Sequence, residues 1–172
     1  MRYQELLSES REHLRRFPAA SEQTVSFFIF TNGAEWMLDR MNELDGKKRI
    51  FDASTPYAQY GYFKYGICLM AFFALSYFLF YEAIILLPAA ILVFYILEIH
   101  FLFLFPLLLD KVENPLLRSI KMTYDIGCLQ ALLTVMPIGF FMVFGLLNLK
   151  KPLKNWYLGC VSILIWYNHE RD

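Results

Sequence analysis

Between Phe63 and Leu109 the chain runs for 47 residues with no Lys or Arg except Lys64, near its start. At ~20 residues per membrane-spanning helix this is long enough for two spans and a tight turn. It constrains the fold more than any other feature, because backbone polar groups in lipid must be satisfied inside the segment, as a helix does. The turn falls near Tyr81-Glu82 or at Pro88-Ala89-Ala90. Pro88, which lacks an N–H and interrupts helical bonding, favours the second. A third apolar run, 123–147, contains Pro137 and Gly139, and a fourth covers 153–167. The twelve residues from Trp156 to Tyr167 reach only about 18 Å against a ~30 Å hydrocarbon core, so the fourth span is short.

The expected fold is an all-α integral membrane protein. It has about four transmembrane helices (63–82, 88–109, 123–147 and the short 153–167) in a membrane domain 62–172, after an amphipathic helical N-terminal region, 1–61. Composition agrees: 58% of residues are hydrophobic, above the ~45–50% of soluble domains, and the excess sits beyond residue 61. In the N-terminal region the spacing of Tyr3, Leu6, Leu7 and Leu14 predicts a helix over 3–16, stopped by Pro18. The run Val25–Phe30 fits a strand or a buried turn. Asn32 with Glu35 reads as a capping box opening a helix that places Trp36, Met37, Met41 and Leu44 on one side and ends at Gly46. His13 is given no role on the exposed first helix.

Sixteen Lys and Arg balance sixteen Asp and Glu, which leaves no basic footprint for nucleic acid. The N-terminus is too polar for a secretory signal, so the first span serves as its own insertion signal. Cys68, Cys128 and Cys160 lack any paired spacing and read as reduced, small apolar residues. Basic residues concentrate in 1–64, which places the N-terminus in the cytoplasm; a bacterial inner membrane is the expected location. Lys150, Lys151 and Lys154 are the objection, because four spans put them outside.

Glu98 and His100 lie inside the apolar run, where titratable groups are costly and therefore functional candidates. Two positions apart on a helix, they differ by ~200° and cannot readily share one metal; no metal site is expected. Depth counting places Ser76, Tyr77, Glu98, Gln130 and Thr134 in a polar layer near the midplane. Lys47, Lys48 and Arg49 suit a contact with anionic lipid headgroups. Asp110, Asp125, His169 and Glu170 read as solvated helix ends. No phosphate loop, nucleophile elbow, HExxH or repeat is present, and the cofactor stays open.

The expected function is a non-catalytic subunit or scaffold of a membrane assembly, partnered by the lipid bilayer and by other membrane subunits. Two alternatives follow from the titratable groups. One is a membrane-embedded enzyme acting on a lipid or isoprenoid, with Glu98, His100 and Asp125 as acid–base residues. The other is a proton or ion path through Glu98.

Overall fold

A computed structural model describes residues 2–17, 29–148 and 153–171, and the described residues are all helix, turn or coil. The helices are α1 (Tyr3–Arg16), α2 (Ile29–Asp45), α3 (Tyr57–Glu82), α4 (Pro88–His100), α5 (Leu104–Leu109), α6 (Pro115–Ile126), α7 (Cys128–Gly145) and α8 (Lys154–Glu170). Three stretches are long and apolar enough to cross a membrane: Tyr57–Glu82, Ile84–Leu109 and Cys128–Gly145. The protein therefore has the composition and helix lengths of a membrane protein.

The first expected span ends at Glu82 and the second begins at Pro88, which occupies the first turn of α4, where its missing N–H costs nothing. A 3-10 turn, Ile84–Leu86, joins them. α3 and α4 form an antiparallel hairpin whose outer surface is bare. Only 17% of the most apolar part of α3 is buried, against 50% for the stretch Ile84–Leu109.

That second stretch is not one continuous helix. It breaks at residues 101–103, and beyond the break all six residues of α5 are buried. The break frees the carbonyls of Ile99 and His100 from regular helical bonding. Thr123 Oγ1 donates to the Ile99 carbonyl at 2.6 Å and Ser119 Oγ to that of His100 at 2.9 Å. Both donors lie on α6 and are fully buried, so the interruption is satisfied by the neighbouring helix, as low-dielectric surroundings require.

The expected third span, 123–147, is likewise two helices. Gly127 stands between α6 and α7 with φ +97°, a conformation glycine adopts without steric penalty. The expected fourth span is α8, and it is a core helix of the protein rather than a lipid-facing one. Leu158, Val161, Ser162, Leu164, Ile165, Trp166 and Tyr167 are buried, because α1, α2 and α7 pack around it. A helix covered on several sides by protein reads as apolar without needing lipid.

The N-terminal helices find their apolar contacts within the chain. α1 has the expected limits and lays Leu6, Leu7, Ser10 and His13 inward; Ser10 and Ser162 hydroxyls meet at 2.7 Å. His13 is 8% exposed and its Nε2 lies 3.1 Å from Glu43 on α2, so it is a buried link between the two helices. α2 begins at Ile29, three residues before the expected Asn32 cap. The Phe30 ring explains the extension: it packs on Tyr62, Tyr65 and Phe105 and fills the space left by the missing side chain of Gly61. α2 ends where expected, with Gly46 at φ +68°. Residues Val25–Phe28 and Pro18 lie outside the described residues.

The joint between α7 and α8 is tight. A side chain at Gly145 would run into Asn155 Cβ, and the Asn155 amide donates to the Phe141 carbonyl at 3.1 Å. Gly145→Val is expected to push the helices apart and cost about 1–3 kcal/mol. A lowered thermal midpoint by circular dichroism in detergent checks this; an unchanged midpoint would show that the joint yields freely.

Candidate functional site

Two polar groups stand out from the apolar interior. The first lies between the legs of the hairpin. Lys64 Nζ on α3 is 2.7 Å from Glu98 Oε1 on α4, and both side chains are largely buried, at 5% and 14% exposure. One turn along α3 from Lys64, Cys68 donates its thiol to Glu98 Oε2 at 3.9 Å. The Lys64 ammonium also stands 5.2 Å from the Tyr65 ring centroid, within reach of the ring's negative face. In so apolar a site the two charges compensate each other, which is what makes them tolerable.

The residues expected to act with Glu98 are elsewhere. His100 Nδ1 is 2.6 Å from the carbonyl of Ile96 in its own helix, and its ring meets Tyr124 edge-on. Asp125 is exposed on α6. The structure thus does not gather Glu98, His100 and Asp125 into one constellation. Nor does it bring Ser76 or Tyr77 to Glu98: they lie twelve and thirteen residues beyond Lys64 on α3, ~18 Å or more along the helix. Tyr77 is 70% exposed, Gln130 is exposed, and Thr134 is buried on the inner face of α7.

The second group ties together the C-terminal ends of α2, α5 and α8. Asp45 accepts from Arg49 Nη2 at 2.6 Å and from Arg171 Nη2 at 2.7 Å. Asp110 accepts from Arg49 Nε at 2.6 Å, from Tyr167 Oη at 2.7 Å and from Arg171 Nη1 at 3.3 Å. The four charges cancel in pairs. Burial on its own would raise the Asp45 carboxyl, but hydrogen bonds from Arg49 and Arg171 outweigh it and hold it well below the usual carboxylate range. Burial, then the bond it donates to Asp110, pushes the Tyr167 phenol above its ordinary value. The cations also sit favourably near helix C-termini, where the backbone carries partial negative charge.

Beside this network lies an open cavity of about 600 Å³, with Lys47, Glu113, Arg118 and Glu170 on its walls. Of the three basic residues expected at lipid headgroups, Arg49 is committed to the two aspartates, while Lys47 and Lys48 are exposed. Asp110 and Glu170, expected as solvated ends, are part of the network and of the cavity wall respectively. His169 is 3.9 Å from Glu9. Among the described residues no cluster of three His, Cys, Asp or Glu is placed to hold a metal ion.

Sequence reasoning missed Lys64, Asp45, Tyr167 and Arg171. One signal for Lys64 was present: Lys64 and Glu98 lie seventeen residues either side of Tyr81, so a fold-back at that point sets opposite charges face to face. No family model matches the chain, and neither the curated proteins nor the solved structures provide a match.

Proposed function

We propose that the protein is a non-catalytic membrane subunit or scaffold: a helical body held at one face of the bilayer by the α3–α4 hairpin. The hairpin carries this reading. Its outer surface presents Phe73, Phe78, Phe80, Ile85 and Leu92, all more than 40% exposed, a surface suited to lipid or to the spans of partner subunits. Tyr62 and Tyr81, both exposed on α3, are nineteen residues apart. On a helix that is ~28 Å, close to the ~30 Å hydrocarbon thickness, and tyrosine rings favour both interfaces. On this reading the Lys64–Glu98 pair lies just inside the boundary nearer the body, and the concentration of basic residues in 1–64 supports a cytoplasmic side for the N-terminal helices. A carboxylate already matched by a lysine serves better to fix helix register than to relay protons or attack a substrate.

Extraction from its native membrane in a mild detergent tests the reading. The expected particle holds other subunits or further copies of the chain, and disperses on further delipidation. A lone, monodisperse chain at every detergent concentration would overturn the subunit proposal.

A further inference from the structure

The helix α7 is 18 residues long and apolar enough to cross a membrane, yet both of its ends rest on the charged body. Three residues before its start, across Gly127, Asp125 is exposed on α6. Near its other end, the Arg11 guanidinium of α1 stands 5.9 Å from the Phe141 ring. α1 exposes Arg11, Glu12 and Arg15, so this end too is level with charged groups that hydrocarbon would not accept. Asn155 and Tyr157, at the start of α8, give the same level independently. Asn155 bonds the Phe141 carbonyl, and Tyr157 packs its ring 5.2 Å from Trp36 on α2, a helix that exposes Glu35 and Asp39 on its outer face.

α6 and α1 belong to one body. α6 packs on α5, α5 is tied through Asp110 to Arg171, which immediately follows α8, and α8 packs on α1. A crossing helix would deliver its two ends to opposite sides of the bilayer, whereas both ends of α7 lie beside groups of this one body. The middle of α7 meets the hairpin low down, where Gly139 and Phe140 lie against Tyr95, three residues from Glu98.

We propose that α7 lies in the plane of the near leaflet and does not cross it, leaving the α3–α4 hairpin as the crossing element. The surface it offers is a stripe of Leu129, Leu133, Phe140, Val143 and Phe144, each 38–70% exposed. Its occupant is the acyl region of that leaflet, continuous with the lipid around the hairpin base. In-plane helices usually show water a charged face; α7 instead buries Ala131, Thr134, Val135 and Ile138 against the protein, which is why its composition imitates a span. The topology also resolves the lysine objection. From residue 65 to residue 110 there is no Lys or Arg, so Lys150, Lys151 and Lys154 join all the other basic residues on the N-terminal side, as topogenic charge requires.

The inference rests on the hairpin spanning the bilayer, and the test separates the two. Single cysteines are introduced as Lys48→Cys, Ile85→Cys and Leu147→Cys in the full chain with Cys68, Cys128 and Cys160 replaced by alanine. Oriented vesicles are treated with a membrane-impermeant maleimide. Positions 48 and 147 are expected to label from one face and position 85 from the other. Labelling of 147 from the face that labels 85 overturns the in-plane helix; labelling of 85 with 48 overturns the spanning hairpin. Spin labels at Leu129, Leu133 and Phe144 are expected at one common depth, and a steady gradient of depth along α7 also overturns it. Should the cysteine-free chain not fold, epitopes inserted after Ile85 and after Leu147 in separate native chains and probed from each face read the same two outcomes.

Discussion

Replacing Lys64 by methionine is expected to lower the stability of the detergent-solubilised protein by about 3–5 kcal/mol, the cost of leaving a buried charge without its partner. Glu98→Leu is expected to cost a similar amount for the mirror-image reason, since Lys64 is 4% exposed and has no route to water without moving α3. The diagnostic result is the double replacement. With both charges removed and side chains of comparable volume in place, stability is expected within about 1 kcal/mol of the parent, or above it, because two desolvation costs vanish together. Denaturant titration of the four proteins gives the coupling directly. Additive losses would show that the 2.7 Å contact contributes nothing, and would return Glu98 to the enzyme and ion-path readings.

The second large effect concerns the network at the helix ends. Asp45→Ala is expected to cost about 3–5 kcal/mol, since it withdraws a buried acceptor from two arginines at once. Arg49, Asp45 and Arg171 are only 12%, 7% and 14% exposed, so water compensates poorly. The same network gives a pH dependence with a definite sign. The Asp45 carboxyl is depressed in the folded protein, so its contribution is fully present above the unfolded-state value of ~3.9. It is lost progressively as pH falls below that value, because the unfolded chain then binds the proton more readily. Thermal midpoints measured from pH 6 downward are expected to stay level to about pH 4 and then drop. In Asp45→Ala that drop is expected to be shallower, and an unaltered profile would exclude Asp45 as its source.

How much of this could be read in advance depended on whether a signal was local. The limits of α1, the end of α2 at Gly46, the end of α3 at Glu82 and the start of α4 at Pro88 follow from short-range chemistry, and the sequence shows them. The break at 101–103 does not show, because its compensation comes from Ser119 and Thr123, about twenty residues away. α8 is hard to read in advance for a related reason. Apolar composition reports that a helix avoids water, and it is silent on whether lipid or protein takes water's place. Asp45 and Arg171 are 126 residues apart, and no spacing rule reaches that far. Glu98 was legible as an expensive group, but the depth count from Asp110 treated 88–109 as one straight helix. With the helix broken at 101–103 that count no longer applies, and the partner of Glu98 is Lys64.

The central place of α8 bears on the order in which the protein can be made. α1 and α2 leave the ribosome first, yet the helix that covers their apolar faces begins at Lys154, more than a hundred residues after α2 ends at Asp45. During that interval the buried Leu6, Leu7, Trp36, Leu38 and Met41 have no α8 to pack on. The body therefore closes late, across a large sequence separation, which is the slow kind of contact. Nascent chains stopped before residue 154 are expected to carry sticky, protease-sensitive N-terminal helices, because their apolar faces lack the cover that α8 provides.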